Sequence, residues 1–231
     1  MKSIAIIPAR GGSKRIPRKN IKPFLGRPII AFSIEAALES KVFDEVMVST
    51  DDAEIAEIAK QYGADVPFFR SAETASDLAM TVPVLLECLE KYKALGQSFD
   101  YLSCVYPCAP FIKAARLRDA MQLLITENVD SVVPVVKFSY PPARALVIRG
   151  QELKMLYPEN YNVRSQDLEA QYHDAGQFYC LRAPALERDK RLFCENSRAI
   201  VLSDSEVQDI DTLEDWETAE VKFKILMERA R

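Results

Sequence analysis

Apolar residues in this chain fall into short unbroken runs, separated by longer stretches in which they recur every three or four positions. Runs of the first kind read as buried strands and stretches of the second kind as amphipathic helices. Ser3–Ala9 is an isoleucine-rich strand. Pro28–Ser40 reads as a helix with Ile30, Ile34, Ala37 and Leu38 on one face, and Pro28 suits its first turn. Strand Glu45–Ser49 comes next, then a helix that Thr50, Asp51 or Asp52 can cap and that ends near Gly63. Val66–Phe69 reads as a third strand, and Asp77 opens the polar entry to a helix carrying Val84, Leu85, Leu89 and Tyr92. Strand Tyr101–Val105, helix Ala114–Thr126 and strand Ser131–Val136 complete the alternation. Such alternation predicts an α/β fold with a doubly wound, mainly parallel sheet. Ligands of these sheets sit in the crevice beyond the strand C-termini.

The pattern breaks after Lys137. Residues 138–175 contain SYPPAR, a hairpin-like RGQELKMLYP and the irregular ENYNVRSQDLEAQYHD. They read as an insertion projecting from the sheet. Gly176–Leu181 and Ala199–Leu202 return to strand character, and Thr212–Arg229 reads as a long helix. In it Leu213, Trp216, Ala219, Phe223 and Leu226 recur at helical spacing, as a core-facing stripe does. At 231 residues, one domain over 1–231 with an elaborated insertion is expected.

Composition narrows the function classes. The formal net charge is −4, which argues against non-specific nucleic-acid or anionic-membrane binding. The only histidine is His173, so a His-rich zinc site is impossible and a Ser-His-Asp triad would have to use that one position. The five cysteines form no CxxC pair and read as reduced, small hydrophobes. No apolar run is long enough for a signal peptide or a membrane span, so a cytoplasmic protein is expected.

Against that acidic background the stretch IIPARGGSKRIPRKNI, from Ile6 to Ile21, concentrates five cations directly after the first strand. Gly11 and Gly12 let the backbone turn with its N–H groups inward, and Arg10, Lys14, Arg15, Arg18 and Lys19 supply charge, as a polyphosphate site requires. Asn20 can hold the exit of the loop by side-chain hydrogen bonds. The spacing matches neither a Walker loop nor the G-x-G-x-x-G fingerprint. The plainer alternative is a solvated basic loop. A second feature is VQDIDTLEDW, with Asp209 and Asp211 two positions apart. In an extended segment both carboxylates face one side, a hard oxygen site suited to Mg2+. Asp211 or Thr212 could instead simply cap the last helix.

The stretches IPARGGSKRIPRKNI, RSAETASD, VYPCAPFI, DAGQFYC and DIDTLEDW, in this order, resemble the cytidylyltransferases that activate nonulosonic acids, the CMP-sialic acid synthetase group. The resemblance covers essentially the whole chain. It implies a sheet of the nucleotide-diphospho-sugar transferase type and transfer of CMP from CTP to a nine-carbon 2-keto acid sugar. The loop from Ala9 through Gly11 and Gly12 to Asn20 would hold the triphosphate, with Arg10, Ser13, Lys14 and Lys19 in contact. Arg70, Ser76 and Asp77 would lie at the cytosine and ribose end, and Asp209 and Asp211 would hold Mg2+. Arg10, Lys14, Lys19 and Asp211 would carry catalysis. Arg164, and more weakly Arg144, would meet the sugar-acid carboxylate, and the 138–175 insertion would serve a homodimer.

Three departures from the sialate pattern bear on the sugar. Sialate enzymes carry a small residue where Arg15 stands, Gln-Pro-Thr-Ser-Pro where Tyr106 to Pro110 stand, and Arg-Pro-Asn-Gly where His173 to Gly176 stand. The resemblance therefore implies pseudaminic acid as the sugar, with Tyr106, His173 and Gln177 as candidate contacts. Sialic, legionaminic and 3-deoxy-octulosonic acids are the alternatives. From a different class, a non-catalytic nucleotide-binding regulator is the rival reading. Neither nucleic acid nor membrane is expected as a partner.

Overall fold

The computed structural model describes residues 1–229, so the last two residues of the expected 1–231 domain lie outside the described residues. Strand β1 (Ser3–Pro8) leads through the basic loop and a two-residue hairpin, β2 (Pro23–Phe24) and β3 (Arg27–Pro28), into α1 (Ile29–Ser40). Then come β4 (Glu45–Ser49), α2 (Ala53–Gln61), the single turn α3 (Ala72–Ala75), α4 (Thr81–Ala94), β5 (Tyr101–Val105), α5 (Ala114–Thr126) and β6 (Ser131–Lys137). The chain leaves the sheet for the exposed hairpin β7 (Leu146–Arg149) and β8 (Glu152–Met155). It returns as β9 (Tyr172–Asp174) and β10 (Phe178–Arg182), and closes with α6 (Ala183–Asp189), β11 (Ser197–Leu202) and α7 (Leu213–Arg229).

The main sheet has the order β11-β6-β10-β5-β1-β4, with β9 paired to β6. The pairs β1–β4, β1–β5 and β6–β11 are parallel, while β10 runs antiparallel to both β5 and β6, and β9 antiparallel to β6. The sheet is thus mixed but mainly parallel. Side-chain alternation on β1 builds two cores. Ala5 and Ile7 pack with α1, α2 and α5, whereas Ile4 and Ile6 pack with α4 and α6. A third cluster gathers Ile16 of the loop, Phe24, Ile29, Ile210 and Trp216, which docks α7 against the loop and the start of α1.

Four expectations need correction. Val66–Phe69 forms no strand; only Asp65 bridges to Met47, because Pro67 has no N–H to continue a ladder. The strand after the insertion is shifted to Phe178–Arg182 and runs antiparallel. Tyr172–Asp174, expected inside the insertion, pairs with β6 in the main sheet, so the projecting part ends near residue 171. On α7, Trp216 and Ala219 are buried and Phe223 and Leu226 pack against the same cluster, but Leu213 is exposed.

Candidate active site

A cavity of about 660 Å³ opens beyond the C-terminal ends of β1 and β5, where a parallel sheet of this kind places a ligand. The basic loop forms one wall and the segment before α4 with the start of that helix another; Tyr106 to Cys108, Asp209 to Asp211, Arg70 and Gly176 also border it.

The loop owes its shape to contacts made far along the chain. Ala9 is buried, and its N–H donates to the Ser49 carbonyl, extending the β1–β4 register by one bond. The Gly11 N–H donates to Asp51 Oδ1 at 2.9 Å, and a Cβ at Gly11 would lie 2.7 Å from Asp52 Oδ2. Arg18 sits in the left-handed region, φ 56°, and turns away from the cavity to grip Asp52 and Glu54. Asp52 meanwhile caps α2 through the N–H groups of Glu54 and Ile55. Asn20 is buried and ties the loop ends together. Its Nδ2 donates to the Arg10 carbonyl at 2.8 Å, and its Oδ1 accepts from Cys108 Sγ at 3.1 Å. Burial pushes the Cys108 thiol up to about 12, so it stays protonated and remains a donor.

Arg10, Lys14, Arg15 and Lys19 are left facing the cavity. Two carboxylates meet them. Asp77 accepts from Arg10 Nη1 at 2.8 Å and pairs with Lys14, and the Lys14 contact, then Arg10, holds its carboxyl below the usual range. Asp211 pairs with Arg15 at 2.9 Å and Lys19 at 3.5 Å. Lys19 Nζ also donates to the Ile210 carbonyl.

Asp209 and Asp211 both border the cavity. Burial, then the neighbouring charge of Asp211, raises the Asp209 carboxyl. A pair of carboxylates in mutual repulsion beside a cluster of cations is a donor set that a hard divalent cation fits. No group of three or more His, Cys, Asp or Glu side chains that could hold a metal occurs among the described residues. Helix capping, the other reading of this stretch, falls to its neighbours. Thr212 Oγ1 accepts the Asp215 N–H, while Asp215 Oδ2 accepts from the N–H groups of Asp211 and Thr212. This leaves the Asp211 carboxylate to the cavity.

The other predicted residues divide clearly. Ser13, Arg70 and Tyr106 line the cavity. Arg70 donates to the Ser49 carbonyl and hydroxyl, and burial lowers its guanidinium pKa. Ala9, Gly11, Gly12 and Ser76 do not line it, although the Ser76 carbonyl accepts from Arg10 at 3.1 Å. Gln177 is buried, donating to the Glu206 carbonyl. His173 is exposed, its ring 4.9 Å from Phe138. Arg144 borders a separate 500 Å³ cavity on the insertion, and exposed Arg164 pairs with Asp167. The sequence reading passed over Thr81, which does line the main cavity, as does Gly176 of the His173 to Gly176 stretch. A threonine at a helix start gave no signal, since its place depends on the fold.

Comparisons with known proteins identify relatives of the chain. The sequence model of a family described as cytidylyltransferase matches residues 4–186. A pseudaminic acid cytidylyltransferase of Campylobacter jejuni is 41% identical over the full length of both chains. A CMP-N,N'-diacetyllegionaminic acid synthase of Legionella pneumophila is 34% identical over 99% of each. Among solved structures, a CMP:2-keto-3-deoxy-manno-octonic acid synthetase complexed with CTP superposes over 100% of both chains with a TM-score of 0.73 at 19% identity, a likeness of fold.

Proposed function

The chain belongs to the cytidylyltransferase family, and from that premise we propose that it transfers CMP from CTP to a nonulosonic acid, pseudaminic acid in particular, with release of pyrophosphate. The observation that carries the reading is the convergence of Arg10, Lys14 and Lys19 with Asp209 and Asp211 on one cavity at the strand ends. Family membership makes the chain an enzyme of this kind, which sets aside the regulatory nucleotide binder.

In the proposed reaction the C2 hydroxyl of the sugar acid attacks the α-phosphorus of CTP. The new P–O bond forms as the bond to the bridging oxygen breaks, pyrophosphate departs and the hydroxyl proton is given up to water or a nearby carboxylate. Negative charge grows on the phosphoryl oxygens and the leaving group. Arg10, Lys14 and Lys19 are placed to stabilise that charge, and Arg15 joins them once a phosphate competes for its partner Asp211. Arg70 stands further along the same cavity, toward the base and ribose end in this reading. Asp209 and Asp211 would hold Mg2+, which when bound neutralises phosphate charge as a Lewis acid. Positioning of the two substrates supplies much of the remaining acceleration.

We further propose a homodimer. On the β7–β8 hairpin, Leu146, Ile148, Leu153 and Met155 share one face by register, and the first three are exposed, as are Tyr140 and Tyr161 nearby. A two-stranded ribbon with a bare apolar face is marginal alone and gains by being covered. A second copy would also bring Arg144 and Arg164 near a neighbouring site; light scattering would read the doubled mass. No helix among the described residues is long and apolar enough to cross a membrane, and the five free cysteines suit the cytoplasm, where the enzyme is proposed to work.

The test is pyrophosphate release with CTP and Mg2+, comparing pseudaminic, legionaminic, N-acetylneuraminic and 3-deoxy-octulosonic acids. Release with pseudaminic acid alone is expected. Preference for another sugar would keep the chemistry and overturn the substrate assignment.

A further inference from the structure

The aspartate pair sits on an arm that the sheet does not hold. Between the single turn Asp204–Glu206 and α7, residues 207–211 belong to no strand or helix. Among the described residues, no backbone N–H donates to a carbonyl of residues 206–211. Side chains from three distant parts of the chain do so instead. Gln177, just before β10, donates from Nε2 to the Glu206 carbonyl at 2.6 Å. Lys222, on α7, donates from Nζ to the Val207 carbonyl at 2.5 Å. Lys19 of the basic loop takes the Ile210 carbonyl.

Glu206, Val207 and Ile210 are buried, and a buried carbonyl without a donor is costly. The clamps therefore select one path for the arm. Apolar contacts reinforce it. Val207 packs with Val136 and Leu202, and Ile210 with Phe24 and Trp216. Gln177 is itself rooted in the sheet, since its carbonyl accepts the Tyr106 N–H at 2.8 Å. Asp209 and Asp211 border the cavity at the end of this arm, whereas Gln177 and Lys222 do not border it. Neither of those two has a reacting group to touch; what each grips is the backbone that carries the carboxylates.

We propose that Gln177 and Lys222 are positioning residues for the aspartate pair, holding the arm so that both carboxylates meet one divalent cation. This rests on the reading of Asp209 and Asp211 as the Mg2+ pair. A cation shared by two side chains needs both at fixed places, and an arm without ladder bonds has no other backbone restraint to supply that. The nearest carboxylate to Lys222, Asp204 at 3.8 Å, is exposed and takes no part in the clamp.

The experiment measures CTP binding to the full chain by calorimetry without sugar acid, in Mg2+ and again in EDTA, so that no turnover enters the readout. Wild type is expected to bind CTP more tightly in Mg2+. Lys222→Met keeps the stem and removes the donor. It should cut that tightening about fivefold, somewhat less than loss of a direct hydrogen-bond partner of a metal ligand costs, while affinity in EDTA stays within about twofold. Gln177→Met should do the same from the other side of the arm. Lys222→Arg, which keeps a cationic donor, should recover the tightening to within about twofold, and Asp204→Asn should leave it unchanged. Wild-type tightening in Lys222→Met and Gln177→Met, or an equal loss of affinity in Mg2+ and in EDTA, would overturn the positioning role. CTP binding by wild type that ignores Mg2+ would overturn the metal reading of the pair, and this inference with it.

Discussion

At the scale of single residues, Asp77 governs the charge balance of the loop. Its carboxylate reaches Arg10 and Lys14, the two cations proposed to meet the phosphates of CTP. In the free chain two cations attract the nearest carboxylate, and an incoming pyrophosphate must displace it. Asp77→Asn should therefore tighten binding of inorganic pyrophosphate about threefold, the scale on which solvent-exposed ion pairs act. Calorimetry in EDTA would read this without any metal contribution. Weaker binding in the variant would mean that Asp77 supports the anion rather than competing with it. The loop's charge was legible in the sequence, but the division of labour within it was not. Arg18 resembles its neighbours in a string of letters. Only Asp52 and Glu54, more than thirty positions on, turn it outward into a brace. The same holds for Asp77, whose partners lie 63 and 67 positions away.

At the scale of elements, the sequence displayed what is local and concealed what is not. Strands β1, β4, β5 and β6 and helices α1, α2, α4, α5 and α7 follow from period and caps, and they appear close to their expected bounds. The direction of β10 does not follow, because an apolar run carries no sign of which neighbours it will choose. Its insertion between β5 and β6 is a decision of the whole sheet. The junction of the loop with α2 permits a sharp prediction. Asp52 is fixed by Arg18 on one side and by two capped N–H groups on the other, so it cannot swing aside for a methyl group at Gly11. The loop itself must move. Gly11→Ala is expected to raise the CTP KM about tenfold, the penalty for misplaced charge stabilisation at a rigid site, with little change in the urea midpoint. An unchanged CTP KM would show that the loop has slack that the 2.7 Å approach denies.

At the scale of the whole molecule, three carboxylates clip segments that the sheet does not hold. The Arg18 guanidinium holds Asp52 at about 2, against an ordinary 3.8, and fastens the basic loop to α2. Burial alone would push Glu87 of α4 upward, but Lys91, Thr74 and Ser71 more than reverse it, to about 2, and so tie the turn α3 to α4. Burial acts likewise on Glu206, and Arg116, Lys113 and Ser203 bring it to about 2, clasping α5 to the segment that carries the aspartate pair. All three folded pKa values lie below the unfolded ones. The unfolded chain therefore takes up these protons first as the solution is acidified, and stability that is complete above about pH 4.5 drains away as the pH falls toward 2. With all three side chains mostly buried, each contributes on the order of 2 kcal/mol. The thermal midpoint should hold between pH 7 and about 5 and then drop by on the order of 10 °C by pH 3. Glu206→Gln should lower the midpoint at pH 7 and shrink the drop, since the variant has already lost what acid removes. A midpoint that stayed level from pH 7 to pH 3 would refute the clips as a source of stability and leave the apolar clusters to hold these segments unaided.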